Sequence, residues 1–242
     1  MKVLIRHLPL GTLFNVATVL VGSALGLGLQ HVFTSGMQAI AFQAVGLGTV
    51  LIALKMMWRL PEGKMLIFLF GLILGGLTGE LLGVSDFFAQ LTGWLKGATG
   101  NTDSSFSEGL ITAFLLYCVG SMTIVGSLEE GTSGNRDLLV VKSVLDGFSS
   151  IALASTYGVG VAFSVIPLFI FQASLTLLAK KGKSFFDPVT IDIISGIGGA
   201  LILGIAINLL QLGKINVENL LPALVMGVVL WKVGGRWKYG KT

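Results

Sequence analysis

Apolar segments long enough to cross a bilayer follow one another along this chain and leave only short polar connections between them. A helical crossing needs about 20 largely apolar residues. Stretches of that kind occur at 8–29, 37–54, 65–83, 107–128, 138–157, 159–179, 188–211 and 217–233. Hydrocarbon offers no water to satisfy backbone N–H and C=O groups, so such segments must be helices. The expected fold class is therefore all-α, a polytopic membrane protein with eight transmembrane helices. Only 12% of the residues are charged, against roughly a quarter in soluble chains. Residues 1–242 read as a single integral membrane domain. The first apolar run follows Lys2 and Arg6 and is too long for the core of a secretory signal, so it counts as helix 1.

Helix 5 is the segment in question, because LLVVKSVLDGFSSIALASTY carries Lys142 and Asp146, where hydrocarbon disfavours charge. The positive-inside rule arbitrates. With eight crossings, the N-terminus, the 2–3, 4–5 and 6–7 connections and the C-terminus hold 13 Lys and Arg residues, and the opposite side holds Lys96 and Lys214. With helix 5 outside the membrane and seven crossings, the count becomes 8 against 8. The asymmetry selects eight helices with both termini cytoplasmic. The basic excess is then a cytoplasmic rim, and no basic stripe with interleaved aromatics suggests nucleic acid.

One cysteine, Cys118, excludes an intramolecular disulfide. With two histidines and no Cys/His cluster, a zinc or iron–sulfur site is disfavoured as well. No nucleophile–base pairing, HExxH, Walker motif or nucleotide-binding glycine loop is present, so neither an enzyme nor a cofactor is expected.

Glycine carries the packing information. Gly71, Gly75, Gly79 and Gly83 recur every fourth residue on helix 3 and form a ridge for close helix approach, within the chain or at a homodimer seam. GLGTVLI (46–52) resembles GIGGALI (196–202), which suggests that helices 1–3 repeat as helices 6–8. The offset of five helices makes such a repeat inverted, a construction common in secondary transporters.

Polar side chains concentrate between residues 120 and 150. Helix 4 offers Ser121, Thr123 and Ser127, and Glu130 follows at its end. Helix 5 offers Lys142, Ser143, Asp146, Ser149 and Ser150. Lys142 and Asp146 are four residues apart, share a helix face and can pair. Asn15, Thr12 and Thr18 on helix 1 lie at a comparable depth. Intramembrane ionisable residues mark solute, ion or proton pathways, although snorkelling by Lys142 and a packed Asp146 would be the structural alternative. Glu80, Asp86, Asp103 and Glu108 read as an outer rim, and residues 84–97 as an amphipathic segment on the outer interface. Asp187 before Pro188 reads as a helix start, Asn216 as a cap of helix 8, and Pro167 as a kink in helix 6.

The run YCVGSMTIVGSLEEGTSGNRDLLVVKSVLDGFSS (117–150), continuing into YGVGVAFSVIPLFIFQ (157–172), resembles a bacterial family of polytopic membrane proteins of unknown function that includes the YqgA-like and YdfK-like proteins. Gly120, Gly126, Glu130, Gly131, Gly134, Lys142, Ser143, Asp146, Ser164 and Gln172 match its pattern, as do Asn15, Gly22 and Gly26. Asn135 stands where the family often has Asp. The resemblance implies the bacterial cytoplasmic membrane and at most a transport role. The residues favour an ion- or proton-coupled secondary transporter of a small solute or ion, with its site between helices 4 and 5. A passive channel, a membrane enzyme and a non-transporting assembly partner are the alternatives.

Overall fold

A computed structural model of the chain describes residues 9–30, 32, 34–99, 105–118, 121–179 and 187–234. All regular structure among them is helical: α1 (Leu10–Gln30), α2 (Ser35–Met57), α3 (Met65–Leu81), α4 (Val84–Thr99), α5 (Ser105–Cys118), α6 (Ser121–Ser133), α7 (Asp137–Tyr157), α8 (Gly160–Phe163), α9 (Val165–Ala179), α10 (Pro188–Leu209) and α11 (Pro222–Gly234), the last preceded by a 3-10 turn at Glu218–Leu220. Among the described residues four spans are long and apolar enough to cross a membrane: Leu10–Leu29, Asp137–Tyr157, Gly160–Ala179 and Pro188–Leu209. Two bent pairs, α3 with α4 and α5 with α6, raise this to six if each is one span.

The expected continuous helix at 107–128 is instead two helices at an angle of 58°. The Thr123 hydroxyl of the second donates to the Tyr117 carbonyl of the first at 2.8 Å. The second piece, α6, runs on to Ser133, beyond the expected end. Helix 6 is interrupted at Ser164, between α8 and α9, where the Ser164 N–H donates to Val161 O in a 3-10 pattern. Pro167, which cannot bond back to Phe163, lies in the first turn of α9.

Local signals elsewhere act as expected. Asp187 caps α10, accepting from the Thr190 N–H at 2.8 Å, with Pro188 in the first turn. Asn216 caps the 3-10 turn rather than α11 itself, accepting weakly from the Asn219 N–H at 3.4 Å. Gly83 adopts a left-handed φ of 63° and turns the chain from α3 into α4.

Apolar side chains both fill the core and cover the outside, with a few polar ones enclosed. Asn15, Lys142, Asp146 and Gln172 are buried, whereas Val21, Ile73, Phe148, Ile170 and Val225 are exposed. The outer surface is thus suited to lipid, and α7 and α10 carry much of the interior. α1 runs parallel to α7: Gly11 sits at Leu139, Gly22 at Gly147 and Gly26 at Ile151. α2 lies antiparallel on α10, with Gly46 at Leu210 and Gly199 at Ala53, and α3 lies antiparallel on α11. In that last seam Gly71, Gly75 and Gly79 face Gly227, Ala223 and Asn219. Gly83 is not part of the ridge, because it lies beyond the end of α3.

In α4, Phe88 turns inward onto Phe114, with ring centroids 6.0 Å apart, while Phe87 and Trp94 stay exposed. Asp103 lies outside the described residues. Asn219 ties the α3–α4 corner together: its side-chain amide donates to Glu80 at 2.5 Å and its oxygen accepts from the Ser85 N–H at 2.8 Å. Glu80 is therefore a structural anchor as well as a rim charge.

Candidate functional site

Helical spacing places Lys142, Ser143, Asp146 and Ser150 on the inward face of α7, and all four are buried. The Lys142 ammonium donates to Asp146 Oδ2, the i, i+4 pair expected from the sequence. From α1, the Asn15 side-chain amide donates to the same Oδ2 at 3.0 Å and to Gln172 Oε1 on α9 at 3.0 Å. From α5, the Tyr117 hydroxyl lies 2.7 Å from Ser150 Oγ. Ser150 gives its proton to the Asp146 carbonyl, so Tyr117 is the donor in that pair. The Lys142 ammonium also lies 5.8 Å from the centroid of the Tyr117 ring, within reach of its negative face. Thr18 is shared between the Asn15 and Ser143 carbonyls, both at 2.9 Å, and stitches α1 to α7.

One turn toward the Leu10 end, Glu130 of α6 is almost fully buried. Its Oε1 accepts from the Gly11 N–H and from Arg136 Nε, each at 2.8 Å. Around this constellation several buried polar atoms have no partner among the described residues: Asn15 Oδ1, Gln172 Nε2, Thr12 Oγ1, Ser127 Oγ and Glu130 Oε2. Each such group costs about 1–3 kcal/mol. Four helices from distant parts of the chain therefore converge on one ion pair and leave donors and acceptors unused beside it.

A cavity of about 710 Å³ opens at the opposite end of the bundle, lined by Glu108, Thr112, Leu115, Tyr157, Lys214 and Glu218 among others. Glu108, expected on a solvated rim, thus faces a cavity. Leu115 carries the lining along α5 to within two residues of Tyr117.

Residues 10–232 match the family described as "Protein of unknown function (DUF554)". The chain belongs to this family. It is 33% identical over 222 residues to "Uncharacterized membrane protein YdfK" of Bacillus subtilis (strain 168), covering 91% of this chain and 94% of that one. It is 25% identical over 233 residues to "Uncharacterized protein YqgA" of Escherichia coli (strain K12), covering 94% and 98%. No solved structure matches. Membership and the apolar helices agree on a membrane protein.

Of the sequence-derived candidates in this DUF554 chain, Asn15, Lys142 and Asp146 form one hydrogen-bonded group. Ser150 joins it through Tyr117 and the Asp146 backbone. Ser143 donates to the Leu139 carbonyl instead, and Thr123 to that of Tyr117. Ser127 and Glu130 line the same α6 face one turn apart, whereas the Ser121 side chain lies outside the described residues. The site reading left out Gln172 and Tyr117. Gln172 is the one side-chain amide in the apolar stretch 159–179, and that isolation, with its match to the family pattern, was the signal available.

Proposed function

We propose that the protein is a secondary transporter of the bacterial cytoplasmic membrane, coupled to an ion or proton, and that the Lys142–Asp146–Asn15–Gln172 group is its substrate or ion site. The observation that carries this reading is the set of unpartnered polar atoms around that group. Native polar cores leave only a few such groups; a concentration of unused donors and acceptors beside a buried ion pair suits an occupant that comes and goes.

Topology supports the same reading. Parallel neighbours α1 and α7 need an odd number of crossings between them, which α2, α3 and the bent α5–α6 pair supply. With the eight crossings expected from the charge count, both termini are cytoplasmic and α4 lies along the outer interface. The packing also suits an inverted repeat. Exchanging helices 1, 2, 3 and 4 with 6, 7, 8 and 5 turns the contact of α1 with α7 into that of α8–α9 with α5–α6, and both contacts exist. The same exchange makes α2 with α10, and α3 with α11, pairs of mates. Transporters built this way hold substrate where broken helices meet, and α5–α6 breaks beside Tyr117.

The test is flux in proteoliposomes under imposed pH gradients and membrane potentials. Wild type is expected to move a solute or ion that folded Asp146→Asn does not. Equal flux per folded molecule in both would sink the assignment.

A further inference from the structure

Resting on the transport reading above, we propose that Lys142 is a tethered counter-ion that moves between Asp146 and Glu130, and that the place it leaves on Asp146 takes an alkali metal cation. The first observation is the free oxygen of Glu130. Its Oε1 already serves two donors, while Oε2 is buried and has none among the described residues. That oxygen and the Leu139 side chain both lie beside Gly11, 3.1 Å and 2.6 Å from where a Cβ would stand. Leu139 precedes Lys142 by three residues on α7, so Oε2 sits about one turn inward of the ammonium's own backbone, and Asp146 one turn outward. A flexible four-carbon stem rooted midway serves both carboxylates.

The second observation is what surrounds Asp146 when the ammonium leaves. Asp146 Oδ2, Gln172 Oε1 and the unpartnered Asn15 Oδ1 are hard oxygen donors on three helices. The Asn15 amide can turn its free oxygen toward an ion. Oxygen ligands select alkali and alkaline-earth cations over softer metals. With one carboxylate, the site balances a single positive charge. Among the described residues no three His, Cys, Asp or Glu side chains gather for a more highly charged ion. An ammonium and an alkali cation are equivalent in charge, so each can satisfy Asp146 in turn.

Charge counting gives a second consequence. Asp146, Glu130, Lys142 and Arg136 sum to zero, and a bound cation raises the set to +1. Transport of that cation carries net charge and follows an inside-negative potential.

The experiment is thermal unfolding of purified protein in sodium or potassium chloride against choline chloride at equal ionic strength. Sodium or potassium is expected to raise the wild-type midpoint. Lys142→Met, lacking the tethered competitor, should reach half of its shift at about tenfold lower concentration. Glu130→Gln, which removes the alternative seat, should need about tenfold more, and Asp146→Asn should show no alkali-specific shift. Equal responses of wild type and Lys142→Met, or a response retained in Asp146→Asn, would overturn the proposal. Should Lys142→Met alone fail to fold, wild type against Glu130→Gln carries the test, and equal half-points there overturn it. Cation binding needs no flux. Asp146-dependent flux without an alkali shift refutes this inference and leaves the transport reading standing, and an alkali shift without flux does the reverse.

Discussion

The Asn15 amide nitrogen lies 3.0 Å from Asp146 Oδ2, joining α1 to α7 across 131 positions of sequence. Because the same nitrogen also serves Gln172, Asn15→Ala strips two buried acceptors of a donor. A loss of about 1–3 kcal/mol is expected. Asn15→Asp should cost more, since it sets a second carboxylate beside Asp146. Thermal unfolding in detergent checks both, and wild-type midpoints in the two variants would refute the arrangement.

Glycines in the seams and glycines facing outward should respond in opposite ways. A Cβ on Gly75 would collide with the backbone of Ala223, whereas one on Gly28 meets nothing within 4 Å. Gly75→Ala is expected to destabilise by about 1–3 kcal/mol. Gly28→Ala should be neutral or stabilising by up to about 1 kcal/mol, from helix propensity. Similar midpoints for the two would place the α3 ridge against lipid.

Cys118 ends α5 and is 1% exposed. It is therefore a native reporter beside the Tyr117–Ser150 contact. A small maleimide should label it slowly in wild type and several-fold faster in Tyr117→Phe, which keeps the ring and deletes the bond to Ser150. Unchanged labelling would show that this contact does not hold the helix break closed.

Burial raises the pKa of the Asp187 carboxyl, but the Lys232 ammonium at 2.5 Å and the Thr190 N–H and hydroxyl outweigh it and hold the group down to about 2. A depressed folded-state pKa contributes stability above the ordinary carboxylate value near 4, and that contribution disappears as pH falls toward 2. Asp187→Asn keeps the helix cap and loses the charge. Its midpoint should fall less steeply than that of wild type between pH 4 and pH 2, and parallel curves would contradict the assignment.

Reporter fusions after Thr34 and after Lys183 are expected to localise to opposite sides, outside and cytoplasmic respectively. The same side for both would break the eight-crossing order.

Helix positions were legible because apolar length and glycine spacing are one-dimensional signals. The expected 188–211 and the observed Pro188–Leu209 differ by two residues at one end. The Lys142–Asp146 pair was legible for the same reason, as one helical turn separates the two. Convergence was not. Nothing local in the neighbourhood of Gln172 or Asn15 states that α1 and α9 meet beside α7, since that follows from packing of small residues such as Gly22 against Gly147. The bend between α5 and α6 was missed because the apolar content of 107–128 is continuous.

The parallel seating of α1 on α7 also constrains how the molecule is made. Gly22 packs against Gly147, which is synthesised 125 residues later, an interval of roughly 6–25 s at typical elongation rates. α2 and α3 likewise wait for α10 and α11. During synthesis the first half of the chain rests in lipid with its glycine grooves unfilled and Asn15 without Asp146. Insertion thus precedes assembly, and the early helices are the stage at which quality control in the membrane has most to recognise.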